Sequence, residues 1–166
     1  MAFHDISGEY KNPILQVVFK KKTTQVAYSN ASAQDYIVLN SDSVTVTSGT
    51  KLLVIANYHW WMQDDDNQNS FHGRQYLQYE IGGNNVWGDV RAAGTATFEN
   101  SNESGTYLNN RGEVSTLQAL LTHGQSTGET IKFRIVHRSV QPSPVDSLVF
   151  QRNSNETNMT IMEIGA

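Results

Sequence analysis

The chain of 166 residues contains no cysteine. That excludes disulfide staples, thiolate nucleophiles and thiolate metal centres. Proline is scarce, at 3 residues, and charged residues make up only 17%. A net charge of −4 offers no basic surface to a phosphate backbone, so nucleic acid is not an expected partner. Long hydrophobic runs are missing too. The longest, LLVIA at 52–56, falls far short of the ~20 residues of a membrane-spanning helix, and no membrane insertion is expected. The opening MAFHDISGEYKNP lacks the basic start and apolar stretch of a signal peptide. The N-x-S/T triplets at Asn30, Asn102, Asn155 and Asn158 then read as a product of polar composition. No phosphate loop, cofactor fingerprint or acid–base pair at a diagnostic spacing is found, so neither a cofactor nor an enzymatic activity is expected.

What the chain does have is alternation. Its length suits one domain, large enough to bury roughly 70% of its unfolded surface without a staple. Strands are expected at Ile14–Phe19, Ser43–Thr47, Lys51–Met62, Tyr76–Ile81, Thr95–Phe98, Thr106–Leu108, Thr130–Arg138, Ser147–Gln151 and Met159–Ile164. In TIKFRIVHR, Ile131, Phe133 and Ile135 point one way and Lys132 and Arg134 the other. The stretch Val114–Gly124 fits a helical face through Leu117, Leu120 and Leu121 as well as it fits a strand. Short strands separated by Gly, Asn and Ser argue for an all-β antiparallel sandwich or jelly roll.

Two strands are apolar on both faces, Leu52–Ala56 and much of Met159–Ile164. A strand in a lone two-sheet sandwich has one buried and one wet face. A strand apolar on both must be covered twice, which a neighbouring subunit does most simply; the chain's own loops are the alternative.

The stretch HWWMQDDDNQNSFH at 59–72 is the strongest candidate for chemistry. An EF-hand loop starting at Asp64 needs Gly at its sixth position and Glu at its twelfth. Those are Asn69 and Gln75, so Asp64, Asp65 and Asp66 read as the polar exit of a strand. His59 and His72 flank the loop, but no closely spaced histidine pair supports zinc, and His4, His123 and His137 are scattered. No metal ligands and no catalytic residues are therefore assigned. Gly124–Gly128 (GQSTG) matches a nucleophile elbow in letters, but a strand follows where that motif needs a helix. Trp60, Trp61 and Trp87 raise sugar stacking. Trp60 and Trp61 point to opposite faces of a strand, so one of them, with Asp64, Asp65 and Asp66, would make a ligand loop. Lys20–Lys22 reads as a solvated turn.

Four stretches, in order, resemble small virion proteins of tailed phages, including many from cyanophages and other aquatic phages. They are NPILQVVF, SVTVTSGTKLLVIANY, STLQALLTHGQSTGETIKFRIV and NMTIMEIGA. The family opens with an ILQVV-like strand and closes with T-[IV]-M-E-I. The resemblance implies a homotrimeric jelly roll of the tumour-necrosis-factor and C1q type, without catalysis. It implies a threefold axis beside Leu52, Val54, Ala56, Met159, Ile161, Met162 and Ile164. The HWWMQDDDNQN stretch lies outside the shared pattern, so no role carries over to it.

On that resemblance, residues 1–12 form an arm ahead of the domain at 13–166. Such an arm can span at most ~3.5 Å per residue, enough to reach a neighbour but not to build a fibre shaft. This favours a decoration or cement protein on the phage particle surface, clamping the major capsid protein, with Phe3, His4, Ile6 and Tyr10 as contacts. The alternative is a receptor-binding tip or tail appendage, whose partners are tail proteins or a host surface glycan.

Overall fold

In the computed structural model of the protein, residues 3–4, 10–11, 13–31, 34–63, 73–90, 110–139 and 145–165 are described. Their strands are β1 (Phe3–His4), β2 (Tyr10–Lys11), β3 (Ile14–Lys22), β4 (Val26–Ala31), β5 (Asp35–Asn40), β6 (Val44–Thr45) and β7 (Lys51–Gln63). They continue as β8 (Gly73–Ile81), β9 (Trp87–Asp89), β10 (Asn110–Thr122), β11 (Thr130–Ser139), β12 (Val145–Phe150) and β13 (Thr157–Ile164). One 3-10 turn, Arg152–Ser154, joins the last two, and no α-helix occurs among the described residues.

Two antiparallel sheets are sandwiched. The first is built on β7, which pairs with β10 along one edge and with β13 and then β12 along the other; β3 and β4 pair outward from those. The second has the order β5-β11-β8-β9, with β6 also on β11. Side chains alternating along β7 explain its place. Leu52, Val54, Ala56, Tyr58 and Trp60 are all fully buried, and their neighbours are only half-buried. Inward residues of the second sheet, Ile131, Phe133, Ile135 and Leu77, meet them. Each such side chain contributes about 1.5–3 kcal/mol by burial.

The undecided stretch Val114–Gly124 is strand through Thr122. Its pairing with β7 is unbroken from Asn110↔Gln63 to Thr122↔Lys51, and tertiary pairing overrides a pattern that local spacing leaves open. β4, β5 and β9 were not expected from the sequence. Thr95–Phe98 and Thr106–Leu108 lie outside the described residues. The lysine run is not a turn: it finishes β3, with Lys20 Nζ 2.9 Å from Asp42 and Lys21 Nζ 3.5 Å from Glu156. The N-terminal segment is not a simple extended arm either. Among its described residues, Phe3 and His4 pair with Lys11 and Tyr10 rather than running on in one direction. Ile6 lies outside the described residues.

Candidate interaction face

The placement of the expected interface residues needs correction. Leu52, Val54, Ala56, Met159 and Ile161 face the inside of the sandwich and are 0–1% exposed within one chain. They form the core and leave nothing for a second subunit to meet. Only Met162 and Ile164 of that set lie on the outer face. The sequence named the right strands but the wrong side of them, because a strand apolar on both faces carries no parity signal.

The outer face is built row by row across the first sheet. One row runs Val17–Met162–Leu53–Leu120, and the next Phe19–Thr160–Ile55–Gln118. Leu15, Val17, Phe19 and Leu120 are 48–57% exposed. A third row, Lys21–Asn158–Asn57–Thr116, closes the apolar area with polar groups. There Asn57 Nδ2 donates to Asn158 Oδ1 at 3.2 Å, and Thr116 Oγ1 donates to Asn57 Oδ1 at 2.7 Å. Four strands ~4.8 Å apart and some seven residues long span roughly 400 Å². A patch of that size is as large as the largest apolar patch of a typical monomer, which is often functional.

Beyond the polar row sit His59 and Trp61. Trp60 is in the core while Trp61 is half-buried on the outer face. The Arg152 guanidinium lies 3.6 Å from the Trp61 ring centre, a cation–π stack. Burial, and then the Arg152 charge, lower the His59 pKa, so the ring is neutral at pH 7. Its Nδ1 is buried without a hydrogen-bond partner. Asp64, Asp65, Asp66 and His72, the rest of the expected ligand loop, lie outside the described residues.

The second sheet's outer face has the opposite character. Asp35 accepts a forked pair from Arg138, whose guanidinium stacks 4.6 Å from Tyr76. Arg134 Nε donates to Gln78 Oε1 at 2.8 Å, and Gln78 Nε2 donates to Asp89 Oδ1 at 2.8 Å. Arg138 first of all, through its hydrogen bonds, holds Asp35 below the usual carboxylate range.

Two buried polar groups invite a catalytic interpretation. Glu163 accepts from Gln16 Nε2 (2.6 Å), Thr47 N (2.6 Å) and Thr50 Oγ1 (2.7 Å), and Thr50 Oγ1 is 3.0 Å from His123 Nε2. His123 Nδ1 accepts from Gln125 N at 3.3 Å, so Nε2 carries the proton and donates to Thr50. The hydroxyl proton of Thr50 is in turn committed to an acceptor. A nucleophile needs the reverse polarity, with the imidazole accepting. The arrangement instead ties β3 and β13 to the turn that enters β7 and to His123 just after β10. Burial acts to raise the Glu163 pKa, but the combined hydrogen bonds from Gln16, Thr50 and Thr47 outweigh it and hold the pKa low. His137 is fully buried between Trp60 and Phe150, with Nδ1 3.2 Å from Tyr58 Oη.

Ser126 of the GQSTG stretch sits in a turn between β10 and β11, where its N–H donates to Glu129 Oε2 at 2.9 Å. Among the described residues no cluster of three His, Asp or Glu side chains is placed to hold a metal. Among them, too, no helix is long and apolar enough to cross a membrane.

No family model matches the chain, and no curated protein does. Among solved structures, a chain in the "Structure of infectious bursal disease virus Gx strain" is similar at 12% identity and TM-score 0.36, over 99% of this chain and 44% of its own. A chain in the "Structure of infectious bursal disease virus Gt strain" is similar at 10% identity and TM-score 0.38, over 99% and 41%. This chain therefore spans less than half the length of the solved chains it matches.

Proposed function

We propose that the protein is a non-enzymatic virion structural protein: a jelly-roll protomer that trimerises and decorates a phage capsid by binding its major capsid protein. The observation that carries this is the outer face of the first sheet, where Val17, Met162, Leu53 and Leu120 line up across four strands. A face this apolar costs solubility unless a partner covers it. Threonine and glutamine between the apolar residues suit packing against another sheet of the same kind. Two such faces back to back bury only about 800 Å² in total, short of the ~1,200 Å² of a stable pair. A trimer must therefore add contacts outside this face, with each copy meeting two neighbours. The order of the four phage-like stretches supports the virion setting, and the paired residues Phe3–His4 and Tyr10–Lys11 are the proposed capsid contact.

The test has two arms. Sedimentation at micromolar concentration is expected to give a trimer; a stable 18.5 kDa species refutes the assembly. The purified protein is then offered to capsids lacking it. Tight binding supports decoration, whereas binding to host cells instead moves the protein to a tail tip.

A further inference from the structure

We propose that the cleft at the β8–β9 turn binds a single ring of a neutral saccharide. This goes beyond the assembly role, and the site lies on the other sheet. The cleft, of about 250 Å³, is lined by Tyr79, Ile81, Asn84, Val86, Trp87 and Gly88. It is smaller than the ~300–1,000 Å³ typical of drug-sized ligands, a size suited to one sugar ring.

Tyr79 and Ile81 reach it from the inner face of the sheet and Trp87 from the outer face, since Tyr79 pairs with Gly88 and Glu80 with Trp87 at this edge. Arg134 lies 4.2 Å from the Trp87 ring centre. Arg134 is fixed by Gln78, and Gln78 by Asp89. Gly88 lets the Tyr79 ring pack close beneath it, since a Cβ there would stand 3.3 Å from Tyr79 Cε1. The turn between the strands holds Gly82, Gly83 and Asn85 at φ of 67°, 71° and 59°. Glu80, 2% exposed, accepts from Asn85 N at 2.7 Å. Asn84 Oδ1 accepts from Val86 N at 2.9 Å. A buried carboxylate committed to a left-handed asparagine marks a turn whose shape is over-determined, as at binding sites.

The lining sets the ligand class. Aromatic side chains offer π-faces to the C–H face of a pyranose, and the Asn84 carboxamide offers both donor and acceptor to hydroxyls. Among the described residues no charged side chain lines the cleft, so a charged ligand would lose hydration without gaining a partner there. The three tryptophans then divide by role: Trp60 in the core, Trp61 beneath Arg152, and Trp87 at the cleft.

The test titrates methyl glycosides of common neutral hexoses and N-acetylhexosamines into the full-length, isotopically labelled protein, up to on the order of 50 mM, weak millimolar binding being expected. Amide shifts are expected at Ile81–Asp89 with at least one sugar. Trp87→Ala and Tyr79→Ala should each weaken binding about tenfold, the loss of one stacked ring. Asn84→Ala, on the exposed turn, should weaken it several-fold and covers the case in which the aromatic variants do not fold. Trp61→Ala should bind as the parent does. Absence of shifts with every sugar, shifts that survive Trp87→Ala, or shifts centred on Trp61 each overturn the proposal. The sedimentation result is independent of all of these.

Discussion

Single side chains set the acid limit of this fold. Burial drives the His137 pKa from 6.5 down to about 4. Above pH 6.5 the ring is neutral folded or unfolded, and it adds no pH dependence. Between pH 6.5 and about 4 the unfolded chain takes up a proton that the folded chain refuses. Stability should therefore fall as pH drops through that window, by about 3 kcal/mol. Glu163 acts lower. Its folded pKa is depressed, so its contribution is present above the ordinary value of 4.5 and is lost as pH falls through the folded value. Urea titrations between pH 7.5 and 4.5 check the first effect. His137→Phe should remove most of the slope in that range, even if its stability at pH 7.5 is lower through loss of the Tyr58 contact. Glu163→Gln should cost about 1–3 kcal/mol at neutral pH. An amide nitrogen replacing Oε2 would face the Gln16 donor, and rotating Gln16 would turn its oxygen toward Thr45 O. Neither residue announces itself in the sequence. His137 continues the inward series of Ile131, Phe133 and Ile135, but alternation alone does not tell that a histidine at its end is buried without charge.

At the scale of an element, β7 shows what was legible and what was not. Its strand character is plain in KLLVIANYHWW, and the strand lies where it was expected. Adjacent residues have different fates, and only the folded partner sheet tells which face is the core. Leu52→Ala should cost about 2–5 kcal/mol, because it leaves a cavity in a fully buried site. Leu53→Ser, one residue on, should change the urea midpoint little but weaken assembly, as seen by sedimentation. Equal loss of stability in both variants would mean that the outer face is already covered within the chain. β9 was illegible for another reason. Three residues are too few to carry a period, and its signal lies instead in the glycines and asparagines of the turn before it. β5 was overlooked although DYIVLN is as strand-like as any stretch. Its inward set shifts at the β-bulge opposite Ile135/Val136, so that Val38 and Leu39 are both buried.

For the whole molecule, the decisive feature is the contrast between its two outer faces. One is apolar across four strands and, among the described residues, carries the cations Lys21, Lys51 and Arg152 at its margins. The other is a lattice of guanidinium, amide and carboxylate groups with the aromatic cleft at its edge. The first exposes its apolar side chains to water, whereas Tyr76, Gln78, Glu80 and Val136 on the second are buried within one chain, so assembly should bury the first. Association driven by apolar burial has a negative heat-capacity change and little salt dependence. Assembly through the lattice of ion pairs would instead weaken as salt rises. The protein at 1 M sodium chloride should sediment as it does at 0.1 M. The double variant Val17→Lys/Leu120→Lys puts charge on the two outer strands of one row, Leu120 directly opposite Leu53. It should give a folded monomer with an unchanged cooperative urea transition, because neither side chain contributes to the core. The monomer should still show the saccharide-induced shifts at Ile81–Asp89, since the cleft lies on the opposite sheet. If the double variant stays assembled, the contact lies elsewhere. If it dissociates and loses the shifts as well, the two faces depend on each other and the cleft is completed by a neighbouring copy.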